Sequence, residues 1–588
     1  MVAAVPAQAA APSQTFHIDC SAAVNGDGSI QNPWNNLAAA EAHEFAPGDT
    51  IAIARGTVCN GAFAPKGSGT VGHIIRLTAY GAGARPKIAA PATARQALLL
   101  FNQQYWHVDS LDISGGNKYG VFVSGDQGML HHLYLRNLYV HDVYGGALRN
   151  KDNGLLVVGP SSVNTFFIDV VIDGVDAAHT NQWAGILVGG GSFPYKNDSL
   201  RNTGVLIHNS TAHDVYGDGI VLFRDSYSSI RTSAAWLTGM EPTQDVGTPD
   251  AIWMWTCNTC VVADNEAYLT DSPGVDGGAY DIDWNNQHDT IERNYAHDTQ
   301  GYCISVFGAG YVTSESMIRD NLCIDNGLSP RLAALQGAIF LSTWNAGQIK
   351  GLTITGNEIH WNPPVPGAAA IVGSGDDGGK QINFTHNTVE STSPLVYRIR
   401  APWNSSDNRF LLNGQPVFTI GKDQSVSLHA IEAQGMEQGT VAAAPAAPKH
   451  EDSLRLEAFI VPEFIDGVLL TDITRSQFVT LRSLAGQYSA RRLTVTMHLP
   501  ADFVGVAETN ALRDLDDIYP GALQFVRDAD STPDARNGTI RLMTPDGRVL
   551  QTWHGYQNAA TLGGAVRKLI GPPDYSHMQP LEHHEGQP

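Results

Sequence analysis

The sequence lacks the motifs of several common enzyme classes. It contains no Gly-x-Ser-x-Gly nucleophile elbow, no His-Glu-x-x-His zinc motif and no phosphate-binding loop. Each of these motifs supplies a nucleophile, a set of metal ligands or a backbone cradle that the corresponding chemistry needs. The sequence therefore gives no support to serine-nucleophile, zinc-protease or nucleotide chemistry.

Basic residues and long apolar stretches are also scarce. The 588-residue chain has 36 lysines and arginines against 58 aspartates and glutamates, which gives a formal net charge of −22. Nucleic acids and strongly anionic polymers bind basic grooves, so no nucleic-acid partner is expected. No segment reaches the roughly 20 apolar residues that cross a bilayer, so no membrane partner is expected either.

Cysteine is rare, and none follows Cys323. The six cysteines form an even set, which suits an exported protein with disulfides. Cys20 and Cys59 could fix an N-terminal cap, and Cys303 and Cys323 lie about one repeat apart and could pair.

The first residues, 1–14, are rich in alanine and contain the small-x-small triplet Ala7-Gln-Ala9. This triplet is typical of the end of an export signal. We therefore expect a secreted or periplasmic protein, whose oligomeric state the sequence does not fix.

Glycine, proline and repetition are abundant instead. Sixty glycines and thirty prolines predict many tight turns and few helices. Asn294, Asn321, Asn357 and Asn387 each open a similar unit after an apolar run, at intervals of 27, 36 and 30 residues. Repeats of this length, built from strands and turns, predict a mainly β fold: a right-handed parallel β-helix over residues 15–430. A β-propeller is the alternative, but it needs antiparallel hairpins, and two-residue turns are few.

After a linker over residues 431–452, the sequence pattern changes from repeated short strands to alternating strands and helices. The pattern over residues 453–572 predicts a smaller α/β domain with the order βαβαβββα. Residues 573–588 are expected to form a tail. This order, with the turn Pro545-Asp-Gly547 before a final strand and helix, resembles the thioredoxin and peroxiredoxin-like fold. That resemblance implies a cysteine pair at the start of the first helix, but the corresponding segment has none, so thiol redox chemistry is excluded.

One acidic strand stands out, Asp276-Gly-Gly-Ala-Tyr-Asp281-Ile-Asp283. Side chains alternate along a strand, so Asp281 and Asp283 share one face although their charges repel. Such a pair indicates acid/base chemistry, with Asp276 close by as a third carboxylate. A turn or a cation site is the alternative.

Tryptophans accompany this strand. Aligning Ala251–Trp255 with residues 279–283 places Trp253 and Trp255 outward beside the two aspartates, about 4.8 Å away. Exposed indoles beside carboxylates suit a sugar ring, whose apolar face stacks on them. Alternatively, both tryptophans pack beneath the 226–249 insertion.

Four further residues fall near this strand, and we assign them to substrate binding as well. They are Trp284, Arg224, Asp218 and Asp250. Each polar member also suits a loop cap.

Three His-Asp pairs recur at the same place in the repeat: His141-Asp142, His213-Asp214 and His297-Asp298. A single pair would suggest an acid/base dyad. Recurrence favours a turn-forming role, because a repeated position usually serves the repeat.

Several segments resemble a group of secreted right-handed β-helix proteins that act on polysaccharides, both pectate-lyase-like and glycoside-hydrolase-like. The matching segments are His17-Ile-Asp-Cys20, Pro47-Gly-Asp49, Leu77–Gly81, Asp276–Asp283 and Ile291–Asp298. The resemblance implies a poly- or oligosaccharide substrate that lies along one exposed sheet.

We therefore expect glycosidic-bond hydrolysis, with one of Asp281 and Asp283 as general acid and the other as base or nucleophile. Retaining and inverting chemistry stay undecided. A polysaccharide lyase is the second choice, because it needs a cation row beside a Tyr or His and only Arg224 falls near the centre. A non-catalytic glycan-binding solenoid is the third.

No cofactor and no catalytic metal are expected, although the acidic strand could hold a structural Ca²⁺. The single Cys257-x-x-Cys260 pair does not indicate zinc without a second pair.

Overall fold

The computed structural model describes residues 12–146, 151–190, 200–240, 248–376, 378–421, 425–447, 450–465, 469–516, 521–529 and 538–578. Most of the predicted export-signal remnant, residues 1–11, lies outside the described residues, and so do residues 579–588 of the predicted tail.

Three long sheets form the larger part of the described chain, with 15, 14 and 13 strands. Each turn of the chain adds one strand to each sheet in the same order, and neighbouring strands within a sheet pair in parallel. The one antiparallel pair in these sheets closes the third sheet at Ser425–Ser427. This arrangement is a parallel β-helix.

The first sheet consists of Thr15–Ile18, Thr50–Ala54, Ile75–Tyr80, Trp106–Asp109, Met129–Arg136, Phe166–Asp173, Asn202–His208, Asp225–Ser226, Ser229–Arg231, Val261–Ala263, Thr290–Glu292, Met317–Arg319, Thr353–Thr355, Asn383–Thr385 and Asn404–Ser406. The second sheet consists of Val58–Asn60, Lys87–Ala90, Asp112–Gly115, Tyr139–Val143, Asp176–Thr180, Thr211–Val215, Ala234–Thr238, Glu266–Tyr268, Tyr295–His297, Leu322–Ile324, Glu358–Trp361, Thr388–Ser391, Arg409–Leu412 and Val441–Ala443. The third sheet consists of Gln96–Phe101, Tyr119–Ser124, Gly154–Val158, Ala184–Val188, Asp218–Phe223, Ile252–Trp255, Tyr280–Ile282, Ile304–Ala309, Ile339–Trp344, Ile371–Gly375, Leu395–Ile399, Val417–Ile420 and Ser425–Ser427. A separate pair joins Val312–Ser314 to Gln348–Lys350.

The interior is built from columns of apolar side chains. Along the third sheet, the strand register aligns Leu222, Met254, Ile282, Val306 and Leu341, and all five are fully buried. Because paired strands lie about 4.8 Å apart, each side chain contacts the residues directly above and below it. The repeated apolar runs in the sequence are therefore the walls of one continuous core.

Asparagines form a second column inside the turns. Asn321 accepts hydrogen bonds from the backbone N–H and the side-chain amide of Asn294, at 2.9 and 3.0 Å. Its own amide donates to the Ile291 carbonyl and to Asn357. The ladder satisfies buried backbone groups that the turns would otherwise leave unpaired.

Two disulfides are present, Cys20–Cys59 at the N-terminal end and Cys303–Cys323 between neighbouring turns. Both match the pairings that the spacing allowed. Cys257 and Cys260 are buried free thiols.

The smaller C-terminal domain contains a five-stranded sheet. Its strands run in the order Leu523–Ala529, Leu493–Pro500, Leu454–Phe459, Thr539–Met543 and Val549–His554. The first three strands are parallel and the last two antiparallel, and a short hairpin joins Phe464–Ile465 to Leu469–Leu470. The kinship with thioredoxin-like proteins stays a prediction.

Helices are few in the part of the chain that the structure describes. They are Leu37–Glu41, Pro330–Gln336, Leu428–Glu432, Asp472–Gln487, Val506–Leu515 and Ala559–Ile570. None of these described helices is long and apolar enough to cross a bilayer.

The C-terminal domain docks on the side of the β-helix, along the second sheet and its edge. The ion pairs across this interface include Arg475–Asp173, Arg482–Asp176, Arg567–Asp298 and Arg55–Asp514. Their side chains are almost entirely buried. Removing one partner would leave a buried charge alone, so this interface is costly to break.

We expect Asn321→Ala to lower the free energy of unfolding by about 2–4 kcal/mol, because the substitution leaves several buried polar groups without partners. Chemical denaturation measures the change. Asn404→Ala is the matched control, since Asn404 is exposed and its side chain donates only to the half-buried Asn383. Equal losses in the two variants would contradict a structural role for the ladder.

Candidate active site

A pocket of about 450 Å³ opens on the outer face of the third sheet. The strand register lines up Trp253, Asp281, Ser305 and Phe340 as one outward column beneath it. Four carboxylates and one lysine line the pocket: Asp250, Asp276, Asp281, Asp283 and Lys151. Its aromatic walls are Trp253, Trp255, Trp284, Phe307, Phe340 and Trp344.

Asp281 lies at the floor and is only 2% exposed. It accepts a hydrogen bond of 2.6 Å from the Ser305 hydroxyl on the next strand. Burial raises the pKa of Asp281 well above its usual range, and the neighbouring Asp283 raises it further. Asp281 is therefore a buried carboxyl group that Ser305 anchors, and its surroundings favour the protonated form.

Asp250 is held by two donors. The Gly278 N–H and the Tyr302 hydroxyl donate to its two oxygens, at 2.8 and 2.7 Å. Tyr302 reaches this carboxylate across Gly278, where an added Cβ would lie 2.0 Å from the tyrosine ring. The glycine at position 278 is thus required by the packing of the site.

Asp218 lies behind the pocket wall. It accepts hydrogen bonds from the Trp253 indole N–H at 2.7 Å and from the Asp250 backbone N–H at 2.9 Å. Burial raises the pKa of Asp218 to about 7, although the positive charge of Lys151 partly offsets the rise. Asp218 therefore orients Trp253 and does not line the pocket itself.

Asp276 and Asp283 differ from the other carboxylates because both are only partly buried where they line the pocket. Burial raises the pKa of Asp283 to about 7 and that of Asp276 to about 6. The positive charge of Lys151 lowers the pKa of both groups and so offsets part of this rise. Asp276 also accepts a hydrogen bond from the Thr248 side chain. These two groups titrate near neutral pH while a ligand can still reach them.

Lys151 is the functional group that the sequence reasoning missed. Its ammonium lies 5.5, 5.4 and 5.0 Å from the ring centroids of Trp183, Trp253 and Trp255, within cation–π range. In the sequence, Lys151 comes just before the strand Gly154–Val158. In the third sheet this strand lies two positions from Asp218–Phe223, with Ala184–Val188 between them. It is the positive charge of a predominantly acidic site.

The two central tryptophans are less exposed than the sequence suggested. Trp253 and Trp255 retain only 3% and 4% exposure and pack with Trp183 and Phe223. The expectation of exposed indoles was wrong, because the outer face of this sheet carries an aromatic cluster of its own. Trp284 lies edge-on to Trp255, with ring centroids 4.8 Å apart.

A family model described as a right-handed β-helix region matches residues 96–389, half of the chain. The chain belongs to this right-handed β-helix family. The predicted fold class, a mainly β right-handed parallel β-helix with a smaller C-terminal α/β domain, is thereby confirmed. No curated protein matches the chain.

Several solved structures are similar to this β-helix. A GH136 lacto-N-biosidase from Eubacterium ramulus has 18% identity and a TM-score of 0.49, covering 69% of this chain and 68% of its own. An alginate lyase from a Paenibacillus species has 13% identity and a TM-score of 0.30, and the match covers 68% of this chain and 99% of the lyase. The A-module of a mannuronan C-5 epimerase from Azotobacter vinelandii has 12% identity and a TM-score of 0.36, and the match covers 68% of this chain and 100% of the module.

Arg224, the predicted cationic substrate contact, does not line the pocket of this β-helix. It adopts a left-handed backbone conformation, with φ of 63°, and donates to the Leu200 carbonyl at 3.1 Å. Because Arg224 follows the strand end at Phe223, the backbone turn carries it to a neighbouring small cleft. The expectation that Arg224 contacts substrate in this pocket is therefore not supported.

A different basic and aromatic group lies on the outer face of the first sheet. Arg76 and Arg136 each donate to the Nδ1 atom of His107, at 3.3 Å. Tyr134 stacks on His107 with ring centroids 4.7 Å apart. Burial and the two arginines lower the pKa of His107 to about 3, so its imidazole is neutral at neutral pH. Arg136 also pairs with Asp109 at 2.7 Å, so this basic and aromatic group is separate from the third-sheet pocket and partly neutralised.

Asp281→Asn should stabilise the β-helix, and increasingly so as pH rises. The folded pKa of Asp281 is raised, so its favourable contribution is complete at low pH and is lost as pH rises through that pKa. Asparagine stays neutral and can still accept from Ser305. The stability gain of Asp281→Asn over wild type should therefore grow as pH rises from about 5 to about 8.

Denaturation curves of both proteins across this pH range provide the measurement. Asp502→Asn, at an exposed position of the C-terminal domain, controls for general charge effects. Parallel pH profiles for Asp281→Asn and wild type would mean that Asp281 is ionised in the folded protein.

Proposed function

We propose that this β-helix hydrolyses glycosidic bonds of a poly- or oligosaccharide in the third-sheet pocket. The observation that carries the proposal is the pair Asp276 and Asp283, two partly exposed carboxylates with raised pKa values in one aromatic-walled pocket. Glycoside hydrolysis needs two carboxyl groups in different protonation states. The pair that we favour combines one residue of the predicted aspartate pair with Asp276.

The pKa values suggest a role for each group. Asp283 has the higher pKa, about 7, and is the general acid that protonates the leaving oxygen. Asp276 ionises first, near pH 6, and acts as the base or the nucleophile. Asp281 and Asp250 are positioning residues, because both are buried and held by hydrogen bonds.

The walls of the pocket fit a neutral sugar. Trp284, Phe340 and Trp344 offer ring faces and edges for the apolar side of a pyranose. Among the described residues that line the pocket, four carboxylates face a single lysine, which disfavours a uronate there because the sugar carboxylate would add another negative charge. We therefore favour a neutral glycan and hydrolysis over elimination in this pocket.

Export is part of the proposal. Two disulfides, Cys20–Cys59 and Cys303–Cys323, suit an oxidising compartment. Together with the Ala-rich first residues, they favour a secreted or periplasmic enzyme that meets its glycan outside the cytoplasm.

Asp283→Asn and Asp276→Asn should each lower kcat by at least about 100-fold, because general acid–base catalysis contributes about that much or more. A screen of neutral plant, microbial and algal glycans, with mass analysis of products, identifies the substrate on which kcat is measured. Asp502→Asn is the matched control and should keep wild-type turnover. Binding without turnover in the wild type would instead favour a glycan-binding solenoid.

The pH dependence should be bell-shaped. Activity falls below about pH 6, where Asp276 becomes protonated, and above about pH 7, where Asp283 loses its proton. A profile of kcat/KM against pH checks this, and Asp283→Asn should abolish the alkaline limb of whatever activity remains. An activity that keeps rising above pH 8 would be incompatible with Asp283 as the acid.

Elimination on a uronate-containing glycan is the second candidate, and a specific observation favours it. Arg76, Arg136, His107 and Tyr134 combine cations with groups that can handle a proton on one exposed sheet. Arg76→Gln separates the two candidates. Loss of turnover in Arg76→Gln with normal turnover in Asp283→Asn would move the active site to the first sheet.

A further inference from the structure

A cluster of potential metal ligands lies on the second sheet, away from the pocket. His179 belongs to the strand Asp176–Thr180, and His213 and Asp214 belong to the next strand, Thr211–Val215. The register pairs Ala178 with His213 and therefore sets His179 beside Asp214. His179 and Asp214 both have left-handed backbone conformations, with φ of 64° and 52°.

The three side chains converge. Asp214 Oδ2 lies 2.6 Å from His213 Nδ1 and 3.8 Å from His179 Nδ1. One ligand atom from each residue falls within 4.8 Å of the other two. Zinc holds nitrogen and oxygen ligands at about 2.0–2.2 Å in a tetrahedron, which sets them roughly 3.3 Å apart. Small side-chain rotations would bring these atoms to that spacing.

Neighbouring aspartates are paired with arginines, whereas Asp214 is paired only with histidines among the described residues. Along the same side of the β-helix, Asp173, Asp176 and Asp298 each pair with an arginine of the C-terminal domain. Within the described residues, Asp214 forms ion pairs with His179 and His213 and with no lysine or arginine. A bound cation would supply the positive charge that arginines supply elsewhere.

His179 is ready to act as a ligand. Its Nδ1 atom is buried and has no hydrogen-bond partner among the described residues. An unpaired buried nitrogen is costly unless something binds it.

The other His-Asp pairs show that the pair alone does not create the site. His141 bridges Asp142 and Asp112, and His297 contacts Glu266 as well as its own aspartate. The same bond between His Nδ1 and the following aspartate recurs in both. Among the described residues, only the pair at His213 has a third ligand within 4.8 Å.

We propose that His179, His213 and Asp214 form a binding site for a divalent transition-metal ion, with Zn²⁺ as its representative. Two imidazoles and one carboxylate are donors that zinc prefers, and three protein ligands leave one position for water. Ion binding would replace the hydrogen bond between His213 Nδ1 and Asp214 Oδ2, and the neutral imidazole would then carry its proton on Nε2. His179 and Asp214 are partly exposed, so an ion can enter.

The test is titration calorimetry of ZnCl₂ into the full-length protein after removal of metals with a chelator. We expect one tight site in the wild type and at least about tenfold weaker binding in His179→Ala, since even outer-shell changes cost 10–100-fold in metal affinity. His288→Ala is the matched control, because His288 pairs with Glu315 at 3.2 Å on an exposed surface. This variant should bind Zn²⁺ like the wild type.

A second measurement keeps the proposal falsifiable if His179→Ala folds poorly. Co²⁺ bound to the wild type should give the weak visible spectrum of nitrogen and oxygen ligands, without a thiolate charge-transfer band. That band would move the metal to Cys257 and Cys260 and overturn the proposal. Absence of tight Zn²⁺ binding in the wild type, or equal binding in folded His179→Ala, would overturn it as well.

Discussion

Stacking of equivalent side chains, one turn above another, is the constraint on which the rest of this structure depends. Paired strands lie about 4.8 Å apart, so every side chain meets the residues above and below it in its column. Inside the turns this constraint produces the asparagine ladder through Asn321 and Asn357. Outside, it forces polar groups such as Asp281 and Ser305 into direct contact. The same rule therefore stabilises the fold and concentrates charge at the pocket.

Concentrated charge must be compensated, and each carboxylate of the pocket is compensated differently. Asp281 and Asp250 accept hydrogen bonds from Ser305 and Tyr302, and burial raises the pKa of both. Lys151 offsets part of the remaining charge. In the proposed hydrolysis, this distribution leaves Asp276 and Asp283 as the pair that titrates near neutral pH. Beside the second sheet, Asp176 and Asp298 are compensated instead by arginines of the C-terminal domain, Arg482 and Arg567.

Local patterns predicted the repeat, the parallel strands and the acidic segment, because side-chain alternation and turn residues are local properties. The outward direction of Trp253 was predicted too, but its burial was not, since no local pattern tells what covers the outer face of a sheet. Lys151 was missed because about a hundred residues separate it from Trp253, and only the register brings them together. Arg224 was misplaced because a left-handed turn follows its strand.

The measurement that tests the central claim most directly is the fate of solvent oxygen in the product. The enzyme is incubated with its glycan in water enriched in ¹⁸O, and the products are examined by mass spectrometry and ultraviolet absorption. Hydrolysis through Asp276 and Asp283 predicts one ¹⁸O atom for each bond cleaved and no unsaturated sugar. An ultraviolet-absorbing unsaturated product without ¹⁸O would contradict the account and establish elimination instead.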